Sequence, residues 1–211
     1  MTNNQLHGKT FEDQIKGCGL FPGASDQSRS ITAGIDIEGR FDREKGLPTS
    51  IKTSGSRTIT LSDARRFWAI NYEFRMLVGI YEQVDGQKHF GVIHEFLLRP
   101  ASLSELRGSV AAAEVERLHY GIGLAEFCAG EHFEARSWIA QELANLGSNQ
   151  SRIVLNPKID SKEQRRLQCS VSLGDLISAT QPYGGHVAHT EHIGSLLLPI
   201  RLLSSRREFA R

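Results

Sequence analysis

The sequence predicts a mixed α/β fold with a central mixed β-sheet flanked by helices. Short apolar stretches, alternating over 31–38 and continuous over 74–83, read as strands. Stretches with apolar residues three and four apart read as helices. The order helix, strands, helix, strands, helices fits one α/β domain over 1–211, with a core at about 9–98 and additions over about 99–211.

Residues 9–16 read as a helix, with Phe11 and Ile15 one turn apart and Gly17 and Gly19 ending it. Residues 22–30, rich in Gly, Ser and Asp, read as a loop. Over 31–38, Ile31, Ala33, Ile35 and Ile37 alternate with Thr32, Gly34, Asp36 and Glu38, which predicts a strand. A charged turn over 40–46 leads to a second strand, 49–53, with Ser50 and Lys52 on one face. A short third strand is expected over 57–61, and Ser62 is the expected N-cap of a helix reaching Asn71, with Asp63 in its first turn.

Met76-Leu77-Val78-Gly79-Ile80-Tyr81 predicts a buried strand, Asp85-Gly86 a hairpin turn, and 89–98 the returning strand. Helices are expected over 102–118, carrying Leu103, Leu106 and Val110, and over 131–146, carrying Phe133, Trp138, Ile139 and Leu143. Strands over 152–156 and 166–173, a helix over 173–179, a loop from Tyr183-Gly184-Gly185 and a last strand over 196–203 complete the prediction.

A chain of 211 residues is long enough to bury a core without covalent staples. Its 39% hydrophobic and 23% charged content excludes disordered and fibrous classes. Cys18, Cys128 and Cys169 are odd in number and widely spaced, which predicts free thiols in a reducing compartment. Residues 1–16 are polar and carry no apolar signal core, and the run 196–200 is too short to cross a bilayer. A cytoplasmic protein with no membrane partner is expected.

The net charge of +1 argues against a nonspecific nucleic-acid coat, which would be basic throughout. Cations are nevertheless concentrated locally. Residues 151–168 hold Arg152, Lys158, Lys162, Arg165 and Arg166 against Asp160 and Glu163, and residues 201–211 hold Arg201, Arg206, Arg207 and Arg211 against Glu208. Either segment also reads as a solvated face with no partner.

The chemistry concentrates in Gly34-Ile35-Asp36-Ile37-Glu38 and, after the turn, Pro48-Thr49-Ser50-Ile51-Lys52-Thr53. One strand offers an acid and the next a lysine. If they pair, both groups converge on one phosphate. Carboxylates bind a hard divalent cation through oxygen, the cation polarises a phosphate and acidifies bound water, and an ammonium holds that water and offsets developing negative charge.

These residues resemble the PD-(D/E)XK nuclease family, over roughly 11–98. Asp36 matches the first acid of the motif and Lys52 its lysine, and Phe11-Glu12 fits the helical acid often found near that site. Residue 35 is Ile where the motif is named for proline, and residue 50 is Ser where the second acid should stand. Some restriction enzymes with this pattern carry a small residue there and draw the acid from the following helix. Asp63, eleven residues after Lys52, is the first candidate, Glu12 the second, and Glu38 and Glu73 weaker ones. Asp63 reads equally well as a helix N-terminal acid stabilised by the macrodipole.

The resemblance implies a restriction-endonuclease-like core and a Mg2+-dependent enzyme that cuts double-stranded DNA at a short site and leaves a 5′-phosphate, as a type II restriction enzyme does. Asp36 and Asp63 are the expected metal ligands, Lys52 positions the water, Glu12 is the alternative acid, and Ser50 contributes through hydrogen bonds. A homodimer is expected, because a twofold axis suits cutting both strands of a palindrome, with the helices over 102–118 and 131–146 as possible dimer surfaces. The alternatives are a repair or recombination nuclease that recognises DNA structure, and a DNA-binding protein that keeps the sheet without cleaving.

Lys158, Lys162, Gln164, Arg165 and Arg166 form the preferred DNA-contact segment, since amides and guanidiniums read bases and lysines neutralise phosphates. His186, His189 and His192 are spaced like a possible zinc site, but the glycines around them argue against a helix, and a polar loop is the better reading. Trp68 and Trp138 fall on apolar helical faces and read as core. No P-loop, dinucleotide fingerprint or G-x-S-x-G is present.

Overall fold

The computed structural model describes residues 3–26, 34–124, 127–128, 130–145, 147, 150–159 and 165–203. Among the described residues, six helices and ten strands form a mixed α/β structure. In chain order these are α1 (Asn3–Lys16), β1 (Thr49–Ser54), β2 (Thr58–Asp63), α2 (Ala64–Ala69), β3 (Phe74–Val84), β4 (Gln87–Leu98), α3 (Pro100–Arg107), α4 (Ala112–Leu124), α5 (His132–Asn145), β5 (Ile153–Ile159), β6 (Arg165–Ser172), α6 (Leu173–Thr180), β7 (His186–His189), β8 (His192–Ile193), β9 (Leu196–Leu197) and β10 (Ile200–Leu203). The chain divides into two compact units. The first comprises 1–57, 73–97 and 183–211, and the second 58–72 and 98–182. Among the described residues no helix is long and apolar enough to cross a membrane. None of the three cysteines forms a disulfide.

The first unit is built on a mixed sheet in the order β1-β3-β4-β10, with β7 also pairing β4. β1 runs parallel to β3, while β10 and β7 run antiparallel to successive stretches of β4. The β3–β4 hairpin turns at Asp85 and Gly86, both at positive φ (48° and 73°), as the Asp-Gly pair predicts. Helix α1 lays Phe11 and Ile15 on one face of this sheet, in a core with Ile51, Leu77, Phe90 and Ile93. Phe11 stacks on Phe90 with ring centroids 4.5 Å apart. Gly79 makes this approach possible, because a Cβ there would lie 2.5 Å from Phe11 Cζ and 2.8 Å from Phe90 Cδ1.

A buried ionic network ties the charged turn after Asp36 to this sheet. Arg75, fully buried on β3, has Nη2 3.4 Å from both Asp42 Oδ2 and Glu44 Oε2, and Nε 3.3 Å from Glu95 Oε1. Glu95 also pairs with Lys45 and, at 3.0 Å, with His189. Asp42 accepts from the amides of Glu44, Lys45 and Leu47, which closes the turn. A buried cation persists only when paired, and here the pairing fixes the path from Asp36 to β1.

The second unit is an antiparallel sheet, β2-β6-β5, with its apolar face covered by helices. Its buried residues include Ile59, Leu61, Ile153, Leu155, Leu167, Cys169 and Val171 from the strands, and Phe67, Trp68, Leu106, Leu118 and Ile139 from the helices. Trp68 is core, with Nε1 donating to Val110 O at 2.9 Å. Trp138 is half-buried, its ring lying where a Cβ on Gly121 would stand.

Several elements differ from expectation. The strand over 31–38 does not form in its described part; only Ile37 makes an isolated bridge, to Thr49, and residues 31–33 lie outside the described residues. The helix after β2 begins at Ala64, and its N-cap is Asp63 rather than Ser62. Ser62 sits in a register irregularity of β2 with φ of 107°. The helix predicted over 102–118 is two helices, separated where Gly108 adopts φ of 56° as the C-cap of α3. The stretch after Gly185 is not a loop. It forms β7, because the polar residues that hid its pattern lie along a half-exposed strand. The last strand is divided into β9 and β10.

Two outcomes follow. Gly79→Ala should destabilise the protein by about 2 kcal/mol through overpacking against Phe11, seen as a lower melting temperature. Burial pushes the Glu95 carboxyl up, but hydrogen bonds from His189 and Lys45, with the charge of Arg75, outweigh this and hold it at about 2. A depressed carboxylate stabilises the fold above the unfolded-state pKa and ceases to do so as pH falls through the folded value. The stability gap between wild type and Glu95→Gln, followed by urea unfolding, should therefore shrink as pH drops from about 4.5 towards 2.

Candidate active site

β1 lies at the edge of its sheet, so alternate amides and carbonyls on its outer side have no neighbouring strand. Residues 36 and 37 cover part of that edge. Thr49 N donates to Ile37 O at 2.8 Å, and Thr49 O accepts from the amides of Asp36 and Ile37, both at 2.9 Å. The next amide along, Ile51 N, would pair with a carbonyl if the ladder continued. It donates instead to Asp36 Oδ2, at 2.6 Å. A side-chain carboxylate thus takes the place of a backbone carbonyl, and among the described residues pairing with β1 stops at Asp36 and Ile37.

The same carboxylate oxygen gathers the neighbouring side chains of β1. Ser50 Oγ donates to Asp36 Oδ2 at 3.2 Å, and Lys52 Nζ stands 3.5 Å from it. Strand alternation puts Ser50 and Lys52 on the side of β1 opposite Ile51, which packs in the core with α1. The side chains of Lys52 and Asp36 keep 16% and 18% of their surface open, enough for a small ligand to reach them while water is partly excluded. All three contacts fall on Oδ2. Oδ1 accepts no hydrogen bond among the described residues, so Asp36 can hold a hard cation through one oxygen while the other stays anchored to β1.

The sequence-predicted residues divide into those brought together and those engaged elsewhere. Asp36, Ser50 and Lys52 form one cluster. Glu12 pairs with Lys16 one turn along α1. Asp63, in the second unit, caps α2 by accepting from Arg66 N at 3.2 Å, and Glu38 pairs with Arg40 at 2.8 Å. Among the described residues no group of three or more His, Cys, Asp or Glu side chains is set to hold a metal ion. The cluster therefore offers a cation one carboxylate.

Of the expected DNA contacts, Lys158 is exposed on β5, and Arg166 is half-buried on β6 opposite it. Arg165 turns its guanidinium to Phe127 O at 2.8 Å. Lys162 and Gln164 lie outside the described residues. The three histidines do not converge. His186 and His189 are an odd number of residues apart on β7 and so point to opposite sides. His186 Nε2 lies 3.1 Å from His94 Nδ1, and both rings stack on Phe96. Burial pushes both imidazoles below their usual range, and for His94 the neighbouring His186 adds to it.

Two participants were not expected. One is the Ile51 amide, which no sequence pattern announces. The other is the Arg75 network that holds the turn. A charged residue inside the apolar run Phe74-Arg75-Met76-Leu77-Val78, and another inside Ile93-His94-Glu95-Phe96, were the available signals for it. No protein-family model matches the chain, no curated protein matches it in sequence, and no solved structure matches it in fold.

Proposed function

We propose that the chain is a Mg2+-dependent endonuclease acting on double-stranded DNA, with a restriction-endonuclease-like core and the activity of a type II restriction enzyme. The observation that carries this reading is the meeting of Asp36 and Lys52 at 3.5 Å on an edge strand, with the outer carboxylate oxygen still available. An acid and an ammonium that can converge on one phosphate supply the charge stabilisation that in-line hydrolysis of a phosphodiester needs. Magnesium, when bound, supplies polarisation of the scissile phosphate and a bound water of lowered pKa.

In this reading Asp36 holds the cation through Oδ1. Lys52 orients the attacking water and offsets the negative charge that develops on the phosphate. Ser50 keeps the Asp36 carboxylate in a fixed rotamer. Glu12, in the same unit as Asp36, is proposed as a second carboxylate, giving up its present partner Lys16 to take that role. Lys158 and Arg166, with Lys162, Gln164 and Arg165, are proposed as DNA contacts. The protein is proposed to act as a homodimer through its helical surface, where Tyr120 and Leu124, one turn apart on α4, and Phe133 on α5 are 68%, 66% and 79% exposed. Apolar side chains this open are candidates for burial against a partner.

Discrete fragments from a supercoiled plasmid in Mg2+ are the expected result. Cleavage confined to branched DNA would indicate a structure-specific repair nuclease, and binding without cleavage a non-catalytic protein. Asp36→Asn should cut at least about a thousandfold more slowly, because it removes the charge needed for the cation. It should fold nearly as stably as wild type, because an amide oxygen still accepts from Ile51 N. Lys52→Ala should slow cleavage by about a hundredfold to ten-thousandfold. Cutting at the wild-type rate by both variants would refute the assignment. Leu124→Lys should shift the sedimentation coefficient from dimer to monomer.

A further inference from the structure

The second unit carries a face that the proposed cleavage site does not use. The apolar side of sheet β2-β6-β5 is covered by helices, while the opposite side is polar. Register pairs place Asn156 beside Gln168, Lys158 beside Arg166, and Val154 beside Ser170, with Thr60 of β2 beyond Ser170. Lys158, Val154 and Thr60 are exposed, and Gln168, Asn156 and Arg166 are half-buried. The only carboxylate in the described residues of these three strands is Asp63, at the end of β2, and it is turned to the N-terminus of α2. Lys158 has no carboxylate partner among the described residues, and Gln168 makes no side-chain hydrogen bond there. Asn156 is held in place by donating to Val154 O at 3.2 Å and Ser170 Oγ at 2.8 Å.

We infer that this face, led by the β5–β6 ribbon, enters the major groove of duplex DNA and reads base edges there. The inference rests on the proposed DNA-cutting function for its partner, and it names the surface and the residues that select the sequence. A two-stranded ribbon fits a groove about 12 Å wide. Side chains on one face of a strand recur about every 6.8 Å, which matches two base-pair steps of about 3.4 Å, so successive face residues meet successive pairs of base steps. Gln168, with both donor and acceptor open, has the chemistry that pairs with adenine in the major groove. Lys158 and Arg166 supply positive charge, at the end of the ribbon away from Val154, for phosphates or guanine. Among the described residues of these strands, the excess of cations over carboxylates fits a polyanion. The deep, narrow major groove of duplex RNA would not admit the ribbon.

The test uses the full-length protein with Ca2+ in place of Mg2+. A pool of random-sequence DNA duplexes is selected by binding and sequenced, and affinities are measured by fluorescence anisotropy at several salt concentrations. Gln168→Ala should lose selectivity at one or two base-pair positions, by about fivefold to a hundredfold, while binding other positions as before. Lys158→Ala should weaken binding to every sequence alike and lower the salt slope by about one. Gln168→Glu, which places a carboxylate on the face, should abolish selective binding while the far-ultraviolet circular dichroism spectrum is unchanged. Selection of the same sequences with the same affinity and salt slope by all three variants would overturn the inference. So would tighter binding of duplex RNA than of duplex DNA, or no binding of duplex DNA at all. If wild type selects sequences through these residues but never cuts in Mg2+, the nuclease reading fails and this inference stands. If it cuts and the variants bind and cut the same sites equally well, the nuclease reading stands and this inference fails.

Discussion

The candidate site depends on one hydrogen bond, from the Ile51 amide to the Asp36 carboxylate at 2.6 Å. An edge strand leaves amides without partners, and a charge-assisted bond to a carboxylate satisfies one of them strongly. The same bond fixes the height and angle of the acid against β1. Ser50 and Lys52 lie on the side chain positions flanking Ile51, so they reach the same oxygen without distortion. Structure and proposed chemistry therefore share one residue, with Oδ2 committed to the strand and Oδ1 left for a ligand.

That arrangement needs the chain to return from Asp36 to β1 by a fixed path. Asp42 closes the intervening turn through three backbone amides, and Arg75 ties Asp42 and Glu44 to the sheet and to Glu95. Burying a guanidinium among carboxylates costs desolvation energy, so the network is a weak source of net stability. Its effect is on register. A turn that slipped by one residue would cost Arg75 its contacts with Asp42 and Glu44 and Glu95 its contact with Lys45, leaving the buried guanidinium with Glu95 alone, which is disfavoured. The acid is thus positioned by charges on the opposite face of the sheet from Lys52.

Local patterns carried much of the fold. The α1 stripe of Phe11 and Ile15, the continuous apolar run of β3 and the Asp85-Gly86 turn were each legible because sequence neighbours decide them. So was the meeting of Asp36 and Lys52, since a short turn leaves little freedom between them. What was not legible depends on partners far away in sequence. β2 follows β1 closely but pairs with β6, more than a hundred residues later, and so belongs to a different sheet. β7 reads as a glycine- and histidine-rich loop until β4 supplies its partner. In its described part, the strand expected over 31–38 is replaced by a single bridge at Ile37, with the Asp36 side chain in the ladder position that a carbonyl would have filled. Gly108 shows the converse case, a helix break whose signal was present in the sequence but outweighed by the periodicity around it.

The second carboxylate is the part of the site that pattern matching leaves most open. Ser50 stands where the PD-(D/E)XK resemblance expects the second acid, and its hydroxyl donates to Asp36. Glu12 already pairs with Lys16, so recruiting it costs that bond, and Asp63 is committed to capping α2 in the second unit. The most direct measurement is a crystal structure of the protein with duplex DNA and Ca2+. The account predicts that Asp36 would hold a cation there and that Lys52 would approach a phosphate beside it. A DNA complex in which no cation lies at Asp36, or in which Lys52 faces away from every phosphate, would contradict it.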